Sequence, residues 1–164
     1  MKRHIAEQVA AALINAYVKI SKNLSLVMME CTQEEFFAYR RGTGGAMGYL
    51  ADILGPILRE HPDLEPEEWK GPYQKSEGGI SIQFNTSGRP MERSIAEQAL
   101  AALKDASLEV NAALSLIQKE CTEEEIVAYR EAAETAMGYL SRELIEPILR
   151  QHPDLAPKGT PQEE

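Results

Sequence analysis

The chain is poor in the residues that most catalytic and metal sites require. Its 164 residues include two cysteines and three histidines, which are His4, His61 and His152. It contains no Gly-rich phosphate loop, no Cys-x-x-Cys, no His-Glu-x-x-His and no Glu-x-x-His motif. A metal cage is therefore not expected. The sequence favours a protein without catalytic activity, metal or cofactor, with an enzyme as the open alternative.

Basic residues are scarce relative to acidic ones. The chain has 17 Lys and Arg against 26 Asp and Glu, which gives a formal net charge of −9. Nucleic acids and anionic membrane surfaces bind concentrated positive charge, so neither is expected as a partner. The hydrophobic fraction of 43% and the charged fraction of 26% are typical of a soluble globular protein.

Long apolar runs are missing as well. The segment at 1–20 places basic residues ahead of an apolar stretch, as a signal peptide does, but Glu7 and Asn15 interrupt it. The same design recurs at 91–110, where a signal peptide has no meaning, and no run reaches the ~18 apolar residues of a membrane span. We expect a cytoplasmic protein. Its cysteines, Cys31 and Cys121, are then expected as reduced thiols, with a disulfide as the less favoured alternative.

Two long segments of the chain have nearly the same sequence. Residues 30–50 read ECTQEEFFAYRRGTGGAMGYL, and residues 120–140 read ECTEEEIVAYREAAETAMGYL. At an offset of 90, residues 1–54 and 91–144 are identical at 27 of 54 positions. After one extra residue in the second copy, PILREHPDL at 56–64 matches PILRQHPDL at 147–155. We infer a tandem duplication, natural or engineered, with repeats at 1–66 and 91–157, a connector at 67–90 and a tail at 158–164.

Each copy is expected to begin with a long amphipathic helix, over about 4–29 in the first and about 93–119 in the second. Apolar residues recur there at helical spacing, and the many alanines would let a neighbouring helix approach closely. The apolar arc is wider in the first copy, which adds Tyr17, Val18, Met28 and Met29. Either this helix lies deeper in the protein or it offers a surface to a partner.

A capping box predicts the start of a second helix in each copy. Thr32 and Thr122 are N-cap candidates, and Glu35 and Glu125 follow three residues later. Only a tight turn separates this cap from the first helix, so each copy should form an antiparallel hairpin.

Two prolines, Pro56 and Pro147, then interrupt the helical pattern. Proline removes a backbone donor inside a helix but is favoured at the first helical position. We therefore expect a kink or break near residues 54 and 146, each followed by a short extra helix. His-Pro-Asp-Leu should close each copy, because the residue before a proline is displaced from helical geometry.

A hairpin of this kind cannot bury its apolar face alone. Two packed hairpins would give an all-α, four-helix bundle with approximate two-fold symmetry. The chain would then be a monomeric fused pseudo-dimer, or would itself form a homodimer. Residues 80–84 of the connector alternate like a strand. They would either pin an extended linker to the bundle or add a strand to a partner's sheet.

Arginine and tyrosine pairs in the second helices are candidate binding residues. Arg40 and Arg130 follow Tyr39 and Tyr129, and helical spacing places both guanidinium groups at the edge of the apolar stripe. There each must pair with a glutamate of the bundle or bind an anion of a partner. The aromatic candidates also include a second repeated pair, Tyr49 and Tyr139.

The repeated Arg-x-His-Pro-Asp motif supplies four further candidates, Arg59, His61, Arg150 and His152. A histidine near a helix C-terminus can cap carbonyl groups and is favoured there when charged. A paired surface site for a partner is the functional alternative.

Three glycines of the first copy, Gly42, Gly44 and Gly45, have no glycine counterpart in the second. Each costs about 1 kcal/mol relative to alanine in a helix interior. Local loosening, a close backbone approach and simple drift are all compatible with this pattern.

The sequence thus predicts a small acidic module that binds a protein or regulates one. The alternative is a small-molecule site, in a sensor or an enzyme, at the pseudo-two-fold between the Tyr and Arg pairs. A structural or engineered tandem that imitates a homodimer is a third possibility.

Overall fold

The protein is all-helical over the residues that its computed structural model describes, which are 1–70, 85–86 and 89–157. Four long helices pack against one another: α1 (Arg3–Val27), α2 (Gln33–Glu60), α3 (Arg93–Glu120) and α4 (Glu123–Tyr139). The prediction of an all-α protein is confirmed. The strand-like segment at 80–84 and the tail at 158–164 lie outside the described residues.

The main contacts run between the two halves of the chain. α1 packs chiefly on α3, and α2 packs chiefly on α4 and the segment that follows it. Alanines on the facing surfaces of α1 and α3, such as Ala16 and Ala106, are fully buried and allow close approach. Larger side chains fill the remaining core, and the fully buried ones include Leu13, Ile20, Leu50, Leu103, Ile117 and Leu140. Burying each of these side chains stabilises the fold by about 1.5–3 kcal/mol.

Both predicted capping boxes are present. The Glu35 amide donates to Thr32 Oγ1 at 3.3 Å, and Glu35 Oε2 accepts from the Thr32 amide at 2.8 Å. Thr122 and Glu125 repeat the arrangement at 3.4 and 3.0 Å. These caps satisfy amide groups that the helix itself leaves unpaired, so they fix where α2 and α4 begin.

The break and the short extra helix predicted at Pro56 are wrong. α2 continues through Pro56 as far as Glu60. Ile53 and Ile57, on either side of the proline, are both buried in the core. Packing of these two side chains on one helical face offsets the hydrogen bond that the proline removes.

The second copy differs at the equivalent place. α4 passes into a π-helical turn (Leu140–Ile145), and the predicted short helix at Pro147 follows as α5 (Glu146–Gln151). The amide of Glu146 donates to the carbonyl of Ser141, five residues back. A one-residue insertion would rotate the rest of an α-helix by ~100°, whereas a π turn absorbs it. Ile148 is therefore buried in the same way as Ile57.

Short 3₁₀ turns follow both hairpins. Pro62–Leu64 and Pro153–Leu155 come directly after His61 and His152, where the helices were predicted to end. A further turn, Glu67–Trp69, brings the Trp69 ring to 5.0 Å from the Tyr17 ring, centroid to centroid. Part of the wide apolar arc on α1 is thus covered by the chain's own continuation, while Met29 is 63% exposed.

Candidate functional site

Tyr39 of α2, whose counterpart in α4 is Tyr129, lies in the core. Tyr39 is 4% exposed, and its hydroxyl donates to Asn23 Oδ1. Asn23, itself buried in α1, donates from Nδ2 to the carbonyl of Ala99 in α3 at 2.9 Å. Burial raises the pKa of the Tyr39 phenol far above its usual value. Tyr39 therefore joins three helices and is not accessible to a partner.

Its counterpart Tyr129 is in a different environment. The position that corresponds to Asn23 is Ala113, which has no polar group to offer. Tyr129 is half-buried, and its hydroxyl has no hydrogen-bond partner among the residues the structure describes. Partial burial, together with the nearby Glu125 carboxylate, raises the pKa of the phenol. This hydroxyl remains neutral at physiological pH and can both donate and accept a hydrogen bond.

The prediction that Arg40 and Arg130 border the apolar stripe is wrong. Both side chains are exposed, and neither has an ion-pair partner within the described ranges. The buried face of α2 is centred on Tyr39, Thr43 and Ala46. Arg40 lies one residue and ~100° beyond Tyr39, which is enough to reach solvent.

The aspartates of the Arg-x-His-Pro-Asp motif tie the end of each hairpin to its beginning. Asp63 accepts from Arg3, and Asp154 accepts from Arg93. The guanidinium groups lower the pKa of both carboxyls. Both pairs are exposed to solvent, so the motif fixes geometry more than it adds stability.

The two histidines of the motif differ in their contacts, and only His152 reaches the start of its hairpin. His152 Nε2 donates to the carbonyl of Met91 at 2.7 Å. His61 Nε2 is buried without a hydrogen-bond partner among the described residues, 3.9 Å from Glu60 Oε1. Arg59 and Arg150 are both exposed. Within the described part of the chain, only Arg150 has an ion-pair partner, which is Glu146 at 3.4 Å.

The second tyrosine pair lies where α2 meets α4. The rings of Tyr49 and Tyr139 are stacked, with centroids 5.9 Å apart and an interplanar angle of 27°. A Cβ atom added at Gly45 would lie 2.5 Å from the Tyr139 ring, so the glycine makes room for the stack.

Gly42, Gly44 and Gly45 of α2 have different surroundings. A Cβ atom at Gly42 would lie 2.6 Å from Cβ of Glu143 in the π turn, which is too close for two carbon atoms. At Gly44, by contrast, nothing lies within 4 Å. Close backbone approach therefore accounts for Gly42 and Gly45, and Gly44 has no packing role.

This close approach makes the two ends of the α2–α4 contact unequal. At the Gly42 end, the space beside Tyr39 is a cavity of about 120 Å³. At the opposite end the residue that corresponds to Gly42 is Ala132, and the helices leave an open groove of about 590 Å³. We call this the α2–α4 groove, and its lining residues are Tyr49, Asp52, Ile53, Pro56, Glu124, Glu125, Ala128, Tyr129, Glu131 and Ala132.

The α2–α4 groove combines an apolar floor with an acidic rim. Four carboxylates line it and no basic side chain does. Glu125 has a cationic neighbour, the terminal ammonium of Met1 at 3.6 Å. Asp52, Glu124 and Glu131 have no ion-pair partner within the residues described. A ligand that is both cationic and partly apolar could pair with these carboxylates and cover the exposed apolar surface beneath them.

The sequence named Tyr49 and Tyr129 as candidate binding residues, and both line this groove, but it did not indicate the acidic rim. The rim could be found from the positions at which the two copies differ, rather than from those at which they are identical. Where the groove has Asp52 and Glu131, the other copy has Arg142 and Arg41. A reversal of charge at aligned positions marks a surface on which the two halves of the chain differ.

No metal site or membrane span is present in the described residues: no group of three or more His, Cys, Asp and Glu is placed to hold a metal ion, and no helix is long and apolar enough to cross a membrane. The cysteines are free thiols rather than a disulfide. Burial, followed by the Glu35 carboxylate, raises the pKa of Cys31 to about 11, which disfavours a reactive thiolate.

Comparison of the chain with models of protein families, with characterised proteins and with solved structures found no match. A function must therefore be inferred from the chemistry of the α2–α4 groove.

Proposed function

We propose that this chain is a small protein-binding module without catalytic activity, which holds a segment of a partner protein in the α2–α4 groove. The observation that carries the proposal is the groove itself. It is an open depression with an apolar floor, two tyrosine rings and three unpaired carboxylates. Surfaces of this composition bind partners, because desolvation of the floor drives association and the polar rim orients the ligand.

The shape of the groove favours a protein segment over a metabolite. On α2 the lining residues follow the spacing i, i+3, i+4 and i+7, from Tyr49 to Pro56, so the groove runs along about two helical turns. It is open along this length, whereas small-molecule sites bury most of their ligand. Where α2 meets α4, the rings of Tyr49 and Tyr139 stack on each other, so each ring already has one face covered.

The proposal includes a fused pseudo-dimer. The 27 identities in 54 aligned positions and the two corresponding Arg–Asp pairs support it. A symmetric homodimer of hairpins would have two equal grooves. In this chain Gly42 and Asn23 belong to the narrow end, and the wider end carries the acidic rim.

The test is capture of a partner by the full chain, tagged at its C-terminus, from native cell extract. Ala128→Arg would fill the groove from an exposed position, and Ala38→Arg places the same change at the corresponding exposed position of the other hairpin. We expect a stoichiometric partner that is lost with A128R and retained with A38R, while circular dichroism shows both variants folded. Equal retention by the two variants, or no partner at all, would contradict the proposal.

A further inference from the structure

We infer that the segment held in the α2–α4 groove is a basic amphipathic helix, with Lys or Arg side chains on the acidic rim and apolar side chains on the floor. The inference rests on the proposed function, since it specifies the chemistry of the partner segment at the same groove.

Charge is the first property of the groove that favours a basic segment. Asp52, Glu124 and Glu131 stand around the floor with no cation beside them in the described structure, and no Lys, Arg or His lines the groove. Carboxylates crowded on a partly apolar surface repel one another, and a cationic partner relieves that repulsion. An acidic or neutral segment would leave it in place. The charge of the rim therefore selects a basic occupant.

The two ends of the α2–α4 contact also differ in charge. The positions of Asp52 and Glu131 carry Arg142 and Arg41 in the other copy. The end without the open groove thus has the opposite charge at these two places. Glu124 and Glu125 have acidic counterparts in Glu34 and Glu35, so Asp52 and Glu131 are the rim charges that are particular to the groove.

The floor of the groove suits long basic side chains. Ile53, Pro56, Ala128 and Ala132 supply apolar surface between the rings of Tyr49 and Tyr129. Lys and Arg side chains cover such surface with their alkyl stems while the charged ends reach a polar rim. The tyrosine rings add cation–π attraction. The unpaired Tyr129 hydroxyl can hydrogen-bond to the same charged groups.

The size of the groove suits one face of a helix. The groove spans about 10 Å along α2, from Tyr49 to Pro56, which is about two turns of a helix. A volume of about 590 Å³ holds several side chains but not a whole helix. A partner helix would therefore lie across the groove and insert the side chains of one face, as in other helix-in-groove complexes.

The experiment measures binding of two fluorescent synthetic peptides to the full chain by anisotropy. One is a Leu–Lys amphipathic helix, and the other has Glu at every Lys position. We expect the basic peptide to bind at least tenfold more tightly and to weaken as salt rises from about 50 to about 200 mM. A128R should raise its Kd at least tenfold, and A38R should leave the Kd within about twofold.

A second pair of variants separates the groove from the general negative charge of the protein. Asp52→Asn with Glu131→Gln removes two charges from the rim, and Glu34→Gln with Glu134→Gln removes two charges elsewhere. We expect the rim variant to lose about tenfold in affinity and the control to lose less than about twofold. Equal losses would overturn the inference, and so would tighter binding of the acidic peptide.

Failure of the inference can be distinguished from failure of the proposed function. A cellular partner that is lost with A128R but retained by D52N/E131Q would exclude a basic segment and leave the binding module in place. Failure to capture any partner that depends on Ala128 would overturn the proposed function itself.

Discussion

A single buried amide separates two tyrosines that the sequence presents as equivalent. Asn23 holds Tyr39 in the core, and Ala113 leaves Tyr129 at the surface of the groove. The sequence names both tyrosines as candidate binding residues at the same position of the repeat. It could not indicate which one would be covered, because the deciding residue lies on another helix, 16 positions before the tyrosine.

Asn23→Ala should lower the free energy of unfolding by about 1–3 kcal/mol, because it leaves the Tyr39 hydroxyl buried without a partner. Urea unfolding measures this change. Tyr129→Phe is the matched control and should change the free energy of unfolding by less than about 0.5 kcal/mol, since that hydroxyl has no described partner. The double variant Asn23→Ala, Tyr39→Phe should recover part of the loss. Equal effects of N23A and Y129F would refute the role given to Asn23.

The glycines of α2 provide a second test with a built-in control. Gly44→Ala should raise the free energy of unfolding by about 1 kcal/mol, because nothing lies within 4 Å and alanine is the better helix former. Gly42→Ala has the same favourable effect on helix propensity, but its new methyl group forces α2 away from Glu143, which costs about 1–3 kcal/mol. Chemical denaturation should therefore find G42A less stable than G44A by that amount. Two variants of equal stability would mean that the contact at Gly42 is not tight.

Among the helices, features set by residues close in sequence were predicted well, and features set by tertiary packing were not. The capping boxes were placed correctly because their hydrogen bonds join residues three positions apart. The break at Pro56 was predicted from the proline alone, and packing of Ile53 and Ile57 overrides it. The extra residue of the second copy was visible in the alignment. That it would form a π turn depends on keeping Ile148 in the core, which the alignment does not show.

Because of the π turn, the protein should tolerate deletion of one residue at this place in the chain. Removing Glu146 should convert Leu140–Ile145 into regular α-helix and leave Ile148 facing the core, as Ile57 does in α2. We expect a folded protein whose free energy of unfolding differs from that of the wild type by less than about 2 kcal/mol. Circular dichroism followed through thermal unfolding measures it.

Deletion of Ala106 is the control for this prediction. It removes one residue from the regular helix α3 and would rotate every later side chain of that helix by ~100°. That variant should lose the cooperative thermal transition. If both deletions unfold the protein, the π turn does not hold a surplus residue.

At the scale of the whole molecule, each hairpin is covered chiefly by the other, because α1 packs on α3 and α2 on α4. A fragment of residues 1–70 and one of residues 85–157 should therefore be poorly folded or self-associated when separate. Mixed together they should form a one-to-one complex with the helical signal of the intact chain. Light scattering after size exclusion, together with circular dichroism, measures both properties.

The mixed complex should be preferred over a homodimer of residues 85–157. That homodimer would place Ala132 against Glu143, where the intact protein has Gly42 and no room for a Cβ atom. A fragment that is monomeric and fully helical alone would contradict the pseudo-dimer. So would a homodimer that does not exchange with the other half.

The single tryptophan gives the protein a natural optical probe of one particular boundary. Trp69 contacts Tyr17 of α1 from the segment that follows the first hairpin, and the second copy has no equivalent ring pair. Its emission therefore reports whether that segment is docked on α1, whereas far-ultraviolet circular dichroism reports the helices as a whole. Coincident transitions in the two signals would show that the segment and the bundle unfold as one cooperative unit.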